Sequence, residues 1–247
     1  MGELEQLQNL AAKMRMATQT ILPGRLRPEL AELSTLLAAG GIGQTKSVTC
    51  RVAAPLEQAW QQHGAKTNGL LAHFGEGLID FVSGSLPPGN MLSEVNSFGD
   101  RLSYVGSGSS PALQTARFKF GETNVELFAQ RLPPGCVSRA EVVFTGSAGT
   151  VYLDWFGAWA ATPNDGGRSV VGNSPNGCFE RRLARLAWAD LAEAIAHGRE
   201  PKASFATVAP AARACLAANA AFQSGRTLRG DAGQISACAS EIFRVMA

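Results

Sequence analysis

Apolar residues recur at helical spacing near both ends of the chain and at alternate positions in its middle. Leucines three to four residues apart follow Pro23-Gly24, and Pro28 fits the first turn of the helix that they predict. Gly40-Gly41 ends that helix. Residues 44–53 are typical of a strand. The same helical period predicts further helices over about 7–14, 68–84, 183–195, 205–223 and 231–247.

The period changes to two between about residues 92 and 155. Ala116, Phe118 and Phe120 alternate with Arg117 and Lys119, which predicts a strand with one apolar face. Similar apolar rows follow at 125–129, 140–144 and 151–153, joined by short turns. Consecutive strands of this kind favour a largely antiparallel sheet with one covered face. Helices from both sequence ends packed on that face give the fold class α+β.

A chain of 247 residues is predicted to form a single domain over 1–247. Its parts are the N-terminal helices (1–43), a helix with the antiparallel sheet (44–156), a long loop (157–177) and the C-terminal helices (178–247). The loop is expected because Pro163-Asn164-Asp165-Gly166-Gly167 interrupts a stretch with little periodicity. Long loops in compact domains often bind ligands or act as lids.

The amino-acid composition argues against several classes of function. With 45% hydrophobic and 17% charged residues, the chain is typical of a soluble globular enzyme. A net charge of +2, with dispersed Lys and Arg, argues against a nucleic-acid partner. The N-terminus lacks the pattern of a signal peptide and no apolar run is long enough to span a bilayer, so we expect a cytoplasmic protein without a membrane partner. Five dispersed cysteines without a C-x-x-C pair predict neither disulfides nor a metal site.

The segment 69–80 carries the most specific pattern. Together with Arg25-Leu26-Arg27-Pro28 it resembles the C-terminal substrate domain of the Gfo/Idh/MocA oxidoreductases. In that family the segment usually reads Gly-x-Leu-x-Asp-x-Gly-x-His-x-Ile-Asp. Here His73 stands where the acid is expected and Gly77 where the histidine is expected, so the resemblance implies a scaffold that has lost its hydride-transfer chemistry. No glycine cluster opens a helix after a strand in the dinucleotide-binding pattern, and we expect no cofactor.

A second spacing resembles the bacterial Pictet–Spenglerases of the McbB type. Those enzymes place an arginine, a His-Thr-Ser segment and a catalytic glutamate at intervals like those of Arg51, Lys66-Thr67-Asn68 and Glu76. Lys66 and Asn68 depart from that pattern. The resemblance implies a cofactor-independent enzyme that condenses and cyclises a tryptophan-like amino acid with an oxo-aldehyde to a β-carboline.

In this hypothesis Glu76 is the catalytic acid and base. Arg51 binds the substrate carboxylate through two parallel hydrogen bonds. The remaining predicted substrate-binding residues are Lys66, Thr67, Asn68 and His73. We expect the strand of Arg51 and the helix of His73 and Glu76 to face a common cavity beside the sheet.

Each of these residues also has an ordinary structural explanation. Glu76 can be an exposed helix residue, His73 a buried histidine and Arg51 the partner of a surface carboxylate. Residues 66–68 fit a helix start, with capping by a side-chain oxygen. The alternative function is a non-catalytic homologue that pairs through its sheet with itself or with a complete oxidoreductase, and the family resemblance implies a homodimer. A third hypothesis is hydride transfer with a nucleotide domain from another chain.

Overall fold

A mixed sheet forms the centre of the molecule. The computed structural model describes residues 2–55, 69–100, 113–172 and 179–246. Within these ranges nine strands form the sheet. They are β1 (Thr45–Pro55), β2 (Leu92–Asp100), β3 (Leu113–Phe120), β4 (Thr123–Leu132), β5 (Arg139–Gly146), β6 (Gly149–Asp154), β7 (Trp159–Pro163), β8 (Val170–Gly172) and β9 (Leu228–Arg229).

The strand order is β8-β7-β6-β5-β1-β4-β3-β2-β9. Neighbouring strands run antiparallel except β1 and β4, which run parallel with Arg51 opposite Phe128. A parallel pair requires a long crossover connection, and the chain between β1 and β4 supplies one. The prediction of a largely antiparallel sheet in an α+β fold is confirmed.

Helices flank the sheet in the order in which the periodicity predicts them. They are α1 (Gly2–Lys13), α2 (Pro23–Leu26), α3 (Pro28–Ala38), α4 (Gly69–Phe74), α5 (Glu76–Ser85), α6 (Phe179–His197), α7 (Phe205–Ser224) and α8 (Ala232–Met246). The helix predicted over 68–84 is divided at Gly75. Gly198 and Gly225 follow α6 and α7 with positive φ, the conformation that glycine adopts most easily at a helix end.

The core lies between the helices and one face of the sheet, here called the inner face. Its central rows come from alternate residues of the middle strands, and these residues are at most 8% exposed: Val48, Cys50, Val52, Val125, Leu127, Ala129, Ala140, Val142 and Phe144. Helix α7 packs above them through small residues, which let its backbone approach its neighbours closely. Among the described helices, α7 has the length and apolar composition of a membrane span, yet 56% of that window is buried in the core.

The predicted loop over 157–177 is wrong in two places, because β7 and β8 fall within it. Trp159 and Ala161 are buried while Ala160 and Thr162 face outward. A five-residue alternation is too short to stand out in the sequence. Pairing of β7 with the edge of β6 makes it a strand.

A buried ion-pair cluster joins the helices to the sheet. Arg27 is 2% exposed; it donates to the Glu29 carboxylate at 2.8 Å and to the carbonyl oxygen of Trp155. Arg182 of α6 donates twice to the same carboxylate, at 2.8 and 3.0 Å. The Trp159 indole donates to the Glu29 carbonyl at 3.2 Å. Every charge in the cluster therefore has a charged or hydrogen-bonding partner, as burial requires.

Glu29 makes stability dependent on acid. Burial opposes its ionisation, but the hydrogen bonds from Arg182, from its own backbone and from Arg27 outweigh burial and lower the pKa from 4.5 to about 2. A lowered folded-state pKa stabilises the protein above the unfolded value, and that stabilisation is lost as pH falls from about 4.5 towards 2.

We predict that Glu29→Gln removes most of this pH dependence. Between pH 5 and pH 2 the wild-type protein should lose about 3 kcal/mol of unfolding free energy more than the variant. Urea unfolding at a series of pH values measures the difference. The control is Glu32→Gln, an exposed position on the same helix. A pH slope in Glu29→Gln equal to that of the wild type would contradict the assignment.

Candidate functional site

Glu76, the predicted catalytic residue, begins α5 and is half-buried. Burial raises the pKa of its carboxyl group, and the nearby negative charge of Asp80 raises it further. Its negative charge also affects the ionisation of a buried thiol. After burial, the Glu76 carboxylate is the next largest influence that raises the pKa of the Cys215 thiol on α7. Glu76 thus belongs to the helical side of the sheet.

Arg51 lies on the opposite face of the sheet, here called the outer face. Its side chain is 64% exposed and donates to Glu141 of β5 at 3.0 Å. The guanidinium also lies 5.9 Å from the ring centroid of Phe128. The neighbouring Cys50 is fully buried, since successive side chains of a strand point to opposite faces.

The prediction that Arg51 and Glu76 face a common cavity is therefore wrong. The ordinary explanation of Arg51, an ion pair with a surface carboxylate, describes its contacts. Lys66, Thr67 and Asn68 lie outside the described residues, as does the side chain of His73, whose backbone belongs to α4. The substrate-binding roles of these four residues stay predictions.

Several residues of segment 69–80 pack in the core. Leu71 and Ile79 are fully buried. Gly75 lies so close to β4 that a Cβ atom would stand 2.5 Å from Leu127 Cδ2 and 2.6 Å from the Leu71 carbonyl oxygen. A side chain at this position would force α4 and α5 away from the sheet.

Asp80, the last residue of the segment, holds α5 against two other helices. Its side chain is 2% exposed; the single N–H of Arg25 Nε is shared between its two oxygens, at 2.9 and 3.0 Å, and Arg25 Nη2 donates to Oδ1 at 2.7 Å. The same guanidinium donates to the Thr207 carbonyl of α7 at 2.7 Å. One arginine thus joins α2, α5 and α7. Sequence reasoning quoted both segments but missed this pairing, because 55 residues separate the partners.

The structure resembles solved oxidoreductases along almost its whole length. An aldose-aldose oxidoreductase from Caulobacter crescentus superposes with a TM-score of 0.74 at 19% identity, over 93% of this chain and 68% of that one. An oxidoreductase domain protein from Kribbella flavida gives 0.73 at 18%, over 92% and 70%. The fold is that of Gfo/Idh/MocA-type oxidoreductases.

This fold also includes a protein described as a repressor. A super-repressor mutant of Gal80p from Saccharomyces cerevisiae gives a TM-score of 0.76 at 13% identity, over 95% of this chain and 70% of that one. No family model and no curated protein sequence matches this chain. Identities this low show the shared fold and leave the activity to be argued from the residues.

The positions of the Gfo/Idh/MocA pattern in segment 69–80 fall into two groups, those that match the pattern and those that differ from it. The retained positions Leu71, Gly75, Ile79 and Asp80 pack or pair, as described above. The altered positions are 73 and 77, where the family pattern has ionisable residues. Within the described ranges no three His, Cys, Asp or Glu side chains lie close enough together to hold a metal ion.

Gly77 leaves space where the family pattern has histidine. A Cβ atom there would meet Pro23, Trp155 and Leu22 at 3.7 to 3.9 Å, which is ordinary van der Waals contact. The loss of this side chain is therefore not forced by packing. A side chain at position 77 would point towards Pro23 of α2 and the Trp155 ring.

Two alanine substitutions test this difference between neighbouring glycines. Gly77→Ala should raise the free energy of unfolding by about 0.5–1 kcal/mol, because alanine has the higher helix propensity and fits the space. Gly75→Ala should lower it by about 1–3 kcal/mol, because the added methyl group overlaps Leu127 and the Leu71 carbonyl. Thermal and urea unfolding measure both. Equal effects of the two substitutions would refute the packing argument.

Proposed function

We propose that this chain is a non-catalytic protein of the Gfo/Idh/MocA fold that forms a homodimer through the outer face of its sheet. The observation that carries the proposal is the character of that face. In the described part of the chain its strands keep long side chains such as Arg51, Arg117 and Tyr152 exposed, while the helices pack on the inner face. An uncovered sheet face of this kind is available to a partner.

The centre of the outer face carries a preformed aromatic and charged cluster. Glu141 accepts from Arg51 at 3.0 Å and from the Tyr152 hydroxyl at 3.2 Å. The Arg51 guanidinium lies against the ring of Phe128. Arginine, tyrosine and phenylalanine are enriched in protein interfaces, and Arg and Tyr are among the common energetic hot spots. Because the cluster is already ordered, less side-chain entropy is lost on association.

A second cluster of the same kind lies two strands away. Arg117 of β3 donates to Glu126 of β4 at 2.6 Å, and its guanidinium lies 5.3 Å from the ring centroid of Phe98 on β2. Phe98 is 47% exposed, so its ring adds apolar area to the charged groups of this cluster. Two such clusters on one face are suited to a two-fold interface, in which each cluster meets a copy of this surface.

Charge on the outer face favours a second copy as the partner. The basic side chains that the described strands direct outward are Arg51, Arg117, Lys119, Arg139 and Arg229, and the acidic ones are Glu94, Glu126, Glu141 and Asp154. A surface on which five basic side chains are interspersed with four acidic ones is nearly neutral, so it is complementary to itself and offers little attraction to a strongly charged partner. The five central strands cover roughly 24 Å by 26 Å, which approaches the area of a standard interface, about 800 Å² per partner.

Phe128→Glu should weaken self-association at least tenfold. The new carboxylate would be desolvated in the paired face and the ring that Arg51 lies against would be lost, which together cost at least about 1.4 kcal/mol. Sedimentation velocity over a concentration series measures the dimer dissociation constant. The matched control is Trp188→Glu on α6, since Trp188 is 70% exposed but lies on the helical side.

Three outcomes would contradict the dimer. One is that the wild-type protein sediments as a monomer at every concentration of the series, and another is that Phe128→Glu and Trp188→Glu have equal effects. Association only with a complete oxidoreductase would assign the face to a different partner and would also contradict self-pairing.

The second candidate function is acid and base catalysis at Glu76, in the form of Pictet–Spengler cyclisation. The observation that favours it is the raised pKa of a half-buried carboxyl group, which is a property of catalytic acids. Protonated Glu76 would assist the loss of water from the carbinolamine. Ionised Glu76 would remove the ring proton after the indole carbon has attacked the iminium. Arg51 is on the other face, so Lys66 is the remaining predicted partner for the substrate carboxylate.

Glu76→Gln separates this candidate from the first. Incubation with tryptophan and a panel of oxo-aldehydes, followed by β-carboline absorbance, should give product above the protein-free background. The substitution should then reduce the rate by about 10²- to 10⁴-fold. Glu122→Gln, an exposed turn residue, is the control. Equal product with wild type, Glu76→Gln and no protein would exclude the cyclase, and it would leave the dimer prediction untouched.

A further inference from the structure

A cavity of about 720 Å³ lies at the end of α5 that is remote from Glu76. Its walls come from the second half of α5, the segment 86–92 and the first halves of α7 and α8. The volume falls within the range of small-molecule sites in proteins, about 300–1,000 Å³. The cavity is therefore of a size to hold a small molecule.

The cavity walls are mainly apolar. Ile79, Leu86 and Ile235 are buried side chains that contribute to them, and Phe120 adds an aromatic ring. Met91 also lines the cavity and is 66% exposed, and its flexible side chain can adapt to ligands of varied shape. A ligand that removes such walls from water gains free energy in proportion to the apolar area that it covers.

Two serines of the walls already use their hydroxyl hydrogens within the protein. The Ser83 hydroxyl donates to the Asp80 carbonyl oxygen at 3.1 Å. The Ser240 hydroxyl donates to the Ser236 carbonyl oxygen at 2.9 Å. Asn90 adds one uncharged amide to the walls. These polar groups can accept or donate a hydrogen bond, but they do not require a charged ligand.

Charge in the walls gives no preference for an ion. Among the described residues that line the cavity there is no Asp or Glu, and Arg213 already takes part in an interaction within the protein. A charged ligand group would lose its hydration against walls that offer little in return. The walls therefore favour a molecule that is mainly apolar and carries no charge.

The walls are held in place before any ligand binds. Within segment 86–92, Pro87 and Pro88 restrict the backbone. At the start of α8, the Gln234 amide donates to Asp231 Oδ1 at 2.8 Å, while the Asp231 amide donates to Gln234 Oε1 at 2.9 Å. This reciprocal pair fixes the helix start. A preformed cavity reduces the ordering cost of binding.

We infer that this cavity binds a small uncharged apolar molecule, held between α5, α7 and α8 by the burial of its apolar surface. The site is separate from Glu76 and from the outer face, so the inference depends on neither proposed function. A bound molecule would contact all three helices at once, and it would stabilise the folded chain in proportion to its affinity.

Fluorescence titration of the full chain with Nile red tests this inference, because this uncharged apolar dye brightens when it leaves water. We expect saturation at one dye per chain with a dissociation constant of about 10 µM or below. The affinity should not fall when NaCl is raised from about 0.1 to about 1 M, since salt screens charges but does not weaken apolar burial. Calorimetry of the same binding should give a negative heat-capacity change, which marks the burial of apolar surface.

Substitutions on α8 locate the bound dye. Ser236→Trp places a large ring in the cavity from a half-buried position and should weaken binding at least tenfold. Ser236→Ala keeps the space open and should bind within about twofold of the wild type. The matched control is Cys238→Trp, which adds the same ring at an exposed position of α8 that does not line the cavity, and it should change binding less than about twofold. Ser240→Trp, one turn further along the helix, fills the cavity if Ser236→Trp does not fold.

Three results would overturn the inference. They are the absence of saturable binding, a loss of affinity at high salt, and equal effects of Ser236→Trp and Cys238→Trp. Thermal unfolding of each variant verifies that it is folded. Self-association and β-carboline formation are measured separately, so failure of this inference is distinguishable from failure of either proposed function.

Discussion

The alternation of side chains along the central strand β1 governs which residues of this protein can act together. Cys50 is buried under the helices, so Arg51 must point away from them. Because of this alternation Arg51 lies apart from Glu76, although their spacing in the sequence predicted a common cavity. Arg51 and Glu76, which the sequence predicted to act on one substrate, therefore lie on opposite sides of the sheet.

Buried ion pairs hold the helices on the inner face. Arg25 joins Asp80 to the backbone of α7, and Arg27 with Arg182 neutralises Glu29 beside the sheet. Removing one partner of such a pair leaves an uncompensated buried charge, which costs several kcal/mol. The helices are therefore fixed in position on the inner face, and within the described ranges the outer face keeps its own exposed clusters around Arg51 and Arg117.

The residues of segment 69–80 that match the Gfo/Idh/MocA pattern have packing roles. Asp80 pairs with Arg25, and Gly75 allows the close approach of α4 and α5 to Leu127. Residues that match the pattern thus serve the packing of the fold, whereas His73 and Gly77 differ from the acid and the histidine that the pattern has at these positions. Gly77 has room for a side chain, so its change follows no demand of packing.

The sequence alone determined the helices, the alternating strands and the α+β class, because periods of 3.6 and 2 residues record which side of each element meets the core. Even the helix ends at Gly198 and Gly225 follow from local backbone preference. Tertiary structure alone decided the strand order, the parallel pairing of β1 with β4, and the recruitment of β7 from a segment without clear periodicity. It also decided that Arg25 meets Asp80 and that Arg51 meets Glu141. These contacts join residues 55 and 90 positions apart, and no local pattern encodes a distance that only the folded chain closes.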